Sequence, residues 1–178
     1  MPHREGVLTR DEYVGRIDAA KWCFRLQVHP VYTVDYEQPE FRRYLETGTR
    51  EIDPDSPWFG RIRRLVAAGG GFQRVYVIEP PLTDYQRYVF LSYHHYAQAG
   101  EDLRILDVSR TGNLGLPDYD FSLLDDEAVI KLYYSSDNGT PLERELLPDT
   151  ALAQHRRYKE LALNHSVPFL TYEETLDS

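Results

Sequence analysis

A chain of 178 residues with 42% hydrophobic and 13% aromatic residues can bury one substantial core, and it is too apolar to be disordered or low in complexity. Its 20 Lys and Arg against 29 Asp and Glu leave a net charge of −9 at neutral pH, which disfavours nonspecific binding to phosphate backbones. A single cysteine, Cys23, excludes an intrachain disulfide framework and a multi-thiolate metal centre, and no apolar run approaches the roughly 20 residues that span a bilayer.

The chain opens Met-Pro-His-Arg-Glu-Gly, without the apolar segment of a secretory signal, so a cytoplasmic location is expected. Thr9-Arg-Asp-Glu12 is a capping box, and Tyr13, Ile17, Ala20 and Phe24 follow at helical spacing, predicting a helix over about 10–21. Trp22 to Val28 reads as a strand stopped by His29-Pro30, and Val31 to Tyr36 as a second short strand. Phe41, Tyr44 and Leu45 predict a short helix ended by Gly48. Ser56-Pro57 starts another, with Trp58, Ile62, Leu65 and Val66 as its apolar stripe and Gly69-Gly70-Gly71 as its stop. Phe72 to Ile78 is a strand closed by Pro80-Pro81. Residues 83–98 read either as a helix capped by Thr83 or as a strand. Leu103 to Val108 is a strand, and Arg110 to Pro117 is a loop. Between residues 121 and 147, alternating apolar positions and the turn Asp137-Asn138-Gly139 predict a three-stranded meander. A last helix runs to about Asn164, with Val167 to Tyr172 extended and an acidic tail beyond. The expectation is a single α+β domain, with its core over about 10–172: an antiparallel sheet with helices packed on one face.

The familiar catalytic spacings are missing. Adjacent His94 and His95 point in different directions on either a helix or a strand, and no His-x3-His spacing exists, so no metal site is expected. There is no nucleophile elbow, and the triple glycine precedes a strand instead of opening a helix, so no phosphate loop and no cofactor are implied. Acid–base chemistry is the one constellation left open, with Tyr85, Arg87, His94, Glu101, Asp102 and Asp120 as its candidates. Against this, loop acids commonly serve as caps and turn formers. Fourteen tyrosines against seven phenylalanines supply surfaces with an apolar body and a polar tip, and Tyr88, Tyr93, Tyr96 and Tyr119 are the candidate binding residues. The charge is one-sided. Residues 1–89 hold 13 basic and 13 acidic groups, whereas residues 90–178 hold 7 and 16.

Three stretches carry a resemblance: Pro80-Pro-Leu-Thr-Asp-Tyr-Gln-Arg-Tyr88, Ala99-Gly-Glu-Asp-Leu-Arg-Ile-Leu106 and Leu116-Pro-Asp-Tyr-Asp-Phe-Ser-Leu-Leu-Asp-Asp126. The helix from His155-Arg-Arg to His165-Ser-Val-Pro168 follows in order. Together they resemble an uncharacterised actinobacterial domain family of unknown function, often encoded beside XRE-type helix-turn-helix regulators. Ser122 stands where that family usually has Trp, and His94-His95-Tyr96 is unusual for it. The resemblance implies a small cytosolic accessory protein and supplies no catalytic residues. The functional expectation is a non-catalytic regulatory protein, antitoxin-like or anti-regulator in role. It would bind a protein partner such as a helix-turn-helix regulator, without direct contact to nucleic acid or membrane. The alternative is a small enzyme, of secondary metabolism for example, with a pocket lined by Tyr85, Tyr88, Tyr93 and His94 and with Glu101, Asp102 or Asp120 as acid–base groups. A small-molecule sensor is a third option.

Overall fold

The computed structural model describes residues 4–176. Seven strands form one sheet: β1 (Trp22–Gln27), β2 (Gly71–Ile78), β3 (Asp102–Asp107), β4 (Asp120–Leu124), β5 (Ala128–Tyr134), β6 (Pro141–Leu146) and β7 (Val167–Pro168). Their spatial order is β6-β5-β4-β1-β2-β3-β7. The sheet is mixed, not purely antiparallel. β1, β2 and β3 run parallel, and β4, β5, β6 and β7 join by antiparallel pairing. The parallel part follows from the connections: each of the two crossovers contains helical segments, which return the chain to the end of the sheet where the previous strand began.

The α-helices are α1 (Arg10–Ala19), α2 (Gln38–Thr47), α3 (Pro57–Ala67), α4 (Asp84–Ala99), α5 (Val108–Thr111), α6 (Leu152–His165) and α7 (Phe169–Leu176). The Thr9/Glu12 capping box starts α1, and a Thr83/Gln86 box starts α4, which settles residues 83–98 as helix. Tyr85, Tyr88, Val89, Ser92 and Tyr93 then recur on its buried side.

Helices cover both faces of the sheet, correcting the one-face expectation. Strand alternation places Cys23, Phe72, Ile130 and Leu132 on one face beneath α1 and α3, with Tyr76, Ile78, Leu103 and Ile105 beside them beneath α4 and α7. The opposite side chains, including Phe24, Leu26, Val75, Phe121 and Leu123, pack against Ala162 and Tyr158 of α6. β1 and β2 are apolar on both faces because both faces are covered.

The predicted strand at 31–36 is absent, and the extended segment expected at 167–172 is mostly helix. Residues 31–36 form a loop that ends in a 3-10 turn at Asp35–Glu37. Thr33 N–H donates to Gly139 O, tying the loop to the β5–β6 turn. Gly139 has φ +71°, and a Cβ there would lie 2.0 Å from Val31 O, so the approach requires glycine. Residues 167–172 keep only the two-residue β7. Helix α7 begins at once because Phe169 and Tyr172, three apart, both reach the core under α4.

Candidate functional site

At the carboxyl end of β1, the parallel strand β2 lies on one side and the amino end of the antiparallel strand β4 on the other. Asp120, fully buried, sits there as a hub. Its carboxylate accepts from Val28 N–H (2.9 Å), from the Tyr32 hydroxyl (2.8 Å) and from Arg25 Nη2 (3.2 Å). His29 Nε2 lies 3.8 Å from its Oδ1. Arg25 Nη2 also donates to the Tyr134 hydroxyl at 2.8 Å, and burial pushes that phenol up to about 12. The His29 ring meets Tyr32 edge-on at 5.5 Å and Tyr134 at 5.2 Å. Arg25 Nε is buried without a partner among the described residues.

One strand over, Arg74 Nε donates to Glu101 Oε1 at 2.6 Å, and its Nη1 reaches Gln27 at 3.4 Å. The guanidinium is ringed by Trp58, Phe72, Tyr93 and Tyr96, with centroids at 5.6, 5.6, 5.3 and 5.7 Å. Burial raises the Glu101 pKa, and Arg74 pulls it back down. Among the described residues, Trp58 Nε1 and Glu101 Oε2 both lack a partner at hydrogen-bond geometry. A polar seam therefore crosses the middle of an otherwise apolar sheet face.

A separate cleft of about 610 Å³ opens beyond the carboxyl ends of β2 and β3, between the Pro80-Pro81 turn, α4 and α7. Leu82, Phe90, Leu91, Phe169 and Leu176 give it apolar walls, while Arg87, Asp107, Arg110 and Glu173 supply its charges. Asp107 Oδ1 is taken by Ser109 N–H and Oγ, and Glu173 Oε1 is taken by His94 Nδ1 at 2.9 Å.

The six sequence-derived acid–base candidates therefore fall in different places. Asp120 belongs to the β1 hub and Glu101 to the Arg74 pair. Exposed Asp102 lies 3.5 Å from Arg104. Arg87 and His94 belong to the α4–α7 cleft or its rim. Tyr85 donates to Glu37 (3.0 Å) beneath the loop, and burial raises its pKa well above 10. Of the tyrosines, Tyr88 and Tyr93 are core residues rather than pocket walls. Tyr88 donates to Glu40 (2.7 Å) under the Arg50 guanidinium, and Tyr93 donates to Gln27 (3.2 Å). Tyr96 packs on Phe59, and Tyr119 meets His155 Nε2 at 2.9 Å. Sequence reasoning missed His29, Arg25, Arg74 and Arg110. The signal was present for two of them, since Arg25 and Arg74 are charges within apolar strand runs. Among the described residues, no group of three His, Cys, Asp or Glu side chains is placed to hold a metal ion, and no helix is long and apolar enough to cross a membrane.

The chain belongs to a family described as "Domain of unknown function (DUF6879)", whose model matches residues 12–174. Among curated proteins nothing matches. Among solved structures, it is similar to Nuc from Salmonella typhimurium, a phospholipase D family member. The TM-score is 0.51 at 13% identity, over 93% of this chain and 92% of that one, a likeness of fold alone. It is also similar to TrmBL2, an archaeal chromatin protein, with a TM-score of 0.44 and 13% identity over 98% of this chain and 54% of that one.

Proposed function

We propose that the protein is a cytoplasmic, non-catalytic regulatory module that binds a basic protein partner, and that in its actinobacterial setting this partner is a helix-turn-helix regulator. The observation that supports this reading is spatial segregation of charge. Residues 118–149 contain nine acidic and two basic residues and make up the antiparallel wing β4-β5-β6 at one side of the sheet. Asp118, Asp125, Asp126, Glu127, Asp137 and Asp149 are exposed there, alongside an exposed Leu142 on the edge strand. A field of one sign accelerates encounter with a basic partner and discourages phosphate backbones. The test is a pulldown from the native host at low and moderate salt, with wild type beside a Glu127→Lys/Asp137→Lys variant. Capture of a helix-turn-helix protein by wild type, lost in the variant and weakened by salt, supports the reading. If no such protein is enriched over background, the reading fails.

A second reading, a small enzyme, is favoured by one contact: the His29–Asp120 approach at the carboxyl end of β1. At 3.8 Å the carboxylate is near enough to favour an imidazolium electrostatically, one part of general-base catalysis. Its test is a hydrolase and isomerase substrate screen in which His29→Ala abolishes turnover while the thermal melting point is retained. A screen without turnover, or turnover that survives His29→Ala, rejects it.

A further inference from the structure

We infer that the cleft between the Pro80-Pro81 turn, α4 and α7 is a binding site for a small amphipathic organic acid, an apolar chain or ring that ends in a carboxylate. The cleft's volume of about 610 Å³ lies in the range of small-molecule sites, and its position beyond the carboxyl ends of two parallel strands is where such sheets bind ligands. Its walls would take the apolar body. Phe90 and Phe169 are held edge-to-face at 5.2 Å, so these walls are preformed, and Leu91 and Leu176 stay substantially exposed at its margin.

The hydrogen-bonding capacity left in the lining decides the polar end. Both carboxylates in the lining are already engaged, Asp107 by Ser109 and Glu173 by His94. Each arginine carries one long ion pair, Arg87 with Asp84 and Arg110 with Asp107, both at 3.5 Å, and their side chains are 51% and 67% exposed. The cleft thus offers two guanidinium groups with donors to spare beside an apolar surface whose acids are occupied. A planar fork of this kind matches a carboxylate. The inference is independent of the partner-binding reading, because the cleft lies outside the β4-β5-β6 wing.

The probe is decanoate, compared with 1-decanol, by calorimetric titration of the full chain. Wild type should bind decanoate saturably and at least tenfold more tightly than decanol. The Arg87→Ala/Arg110→Ala variant, altered at two exposed positions, should fold normally and lose that preference while still binding decanol. Leu91→Arg should abolish both. Absence of saturable decanoate binding by wild type overturns the inference, as does equal affinity for decanoate and decanol. So does a preference that survives in the double-arginine variant. Tighter binding of a short peptide ending in an apolar residue would transfer the cleft to a protein partner. A wild-type dimer dissociated by Leu91→Arg would transfer it to a second copy of the chain, and either result overturns the small-acid assignment.

Discussion

Arg25 and Arg74 are register partners on the two parallel strands β1 and β2, so two guanidinium groups lie side by side on one face in the middle of the sheet. Each has its own carboxylate: Arg25 that of Asp120, and Arg74 that of Glu101. Like charges on neighbouring strands repel, and Arg25 does lower the Arg74 pKa. Burial lowers it more, and Glu101 with the tyrosines outweighs both, leaving it raised. The arrangement persists because a carboxylate flanks the arginine pair on each side, Asp120 beside Arg25 and Glu101 beside Arg74.

Breaking one pair should therefore cost more than removing it whole. Arg74→Met leaves Glu101 buried and uncompensated, with an expected loss of about 3–5 kcal/mol in urea unfolding. Arg74→Met combined with Glu101→Met should recover most of that loss, because two apolar side chains then pack among Trp58, Phe72, Tyr93 and Tyr96. Equal destabilisation of the single and double variants would show that the aromatic ring is stabilised by the guanidinium itself.

The Asp120 hub makes a graded prediction. Tyr32→Phe deletes one donor to a carboxylate that keeps two others, and about 1–2 kcal/mol is expected. Asp120→Ala strands the Val28 N–H, the Tyr32 hydroxyl and the Arg25 charge together, and its cost should exceed that of Tyr32→Phe by about 2 kcal/mol or more. Chemical denaturation of the two variants beside wild type gives the comparison.

His155 links stability to pH. Its Nδ1 donates to Ala151 O at 2.8 Å, so Nε2 accepts from the Tyr119 hydroxyl at 2.9 Å, an arrangement of the neutral ring. Burial lowers its pKa below the ordinary 6.5, against a smaller upward pull from the Ala151 carbonyl. A depressed folded-state pKa means that the unfolded chain takes the proton first. The stability is complete above about pH 6.5 and is lost as pH falls towards and through the folded value. Melting temperatures at pH 7.5 and 5.5 should show a drop in wild type, and a smaller drop in His155→Gln.

Cys23 should be silent to thiol reagents. It is fully buried in β1, and burial pushes its thiol up to about 12. Labelling with iodoacetamide at pH 8 should require denaturant, and prompt labelling of the native protein would show that β1 opens.

Helix starts were written locally. The Thr9/Glu12 and Ser56-Pro57 signals precede α1 and α3, although the Ser56 side chain makes no capping bond and proline alone marks the first turn. The short helix at Phe41–Leu45 stops where expected, at Gly48 in the left-handed region. Residues 83–98 were ambiguous because Tyr, Val and Phe suit strands as well as helices; the Thr83/Gln86 box decides for helix, and both of its residues stand in the sequence at capping-box spacing.

The predicted strand at 31–36 failed for a tertiary reason. Tyr32 is pulled inward to Asp120, 88 residues away, and no alternation rule sees that partner. Asp120 itself was named as a candidate, but its meeting with His29 and Arg25 depends on β4 inserting beside β1, a pairing between distant segments.

Composition, charge segregation, single-cysteine chemistry and most element boundaries were determined by the sequence, because caps, turns and periodicity act over a few residues. Strand order, the parallel pairing of β1-β2-β3, the helix layer on each sheet face and the grouping of charges into a hub, a pair and a cleft were decided only by the tertiary structure. These depend on which distant surfaces bury one another, and short-range signals do not encode that choice.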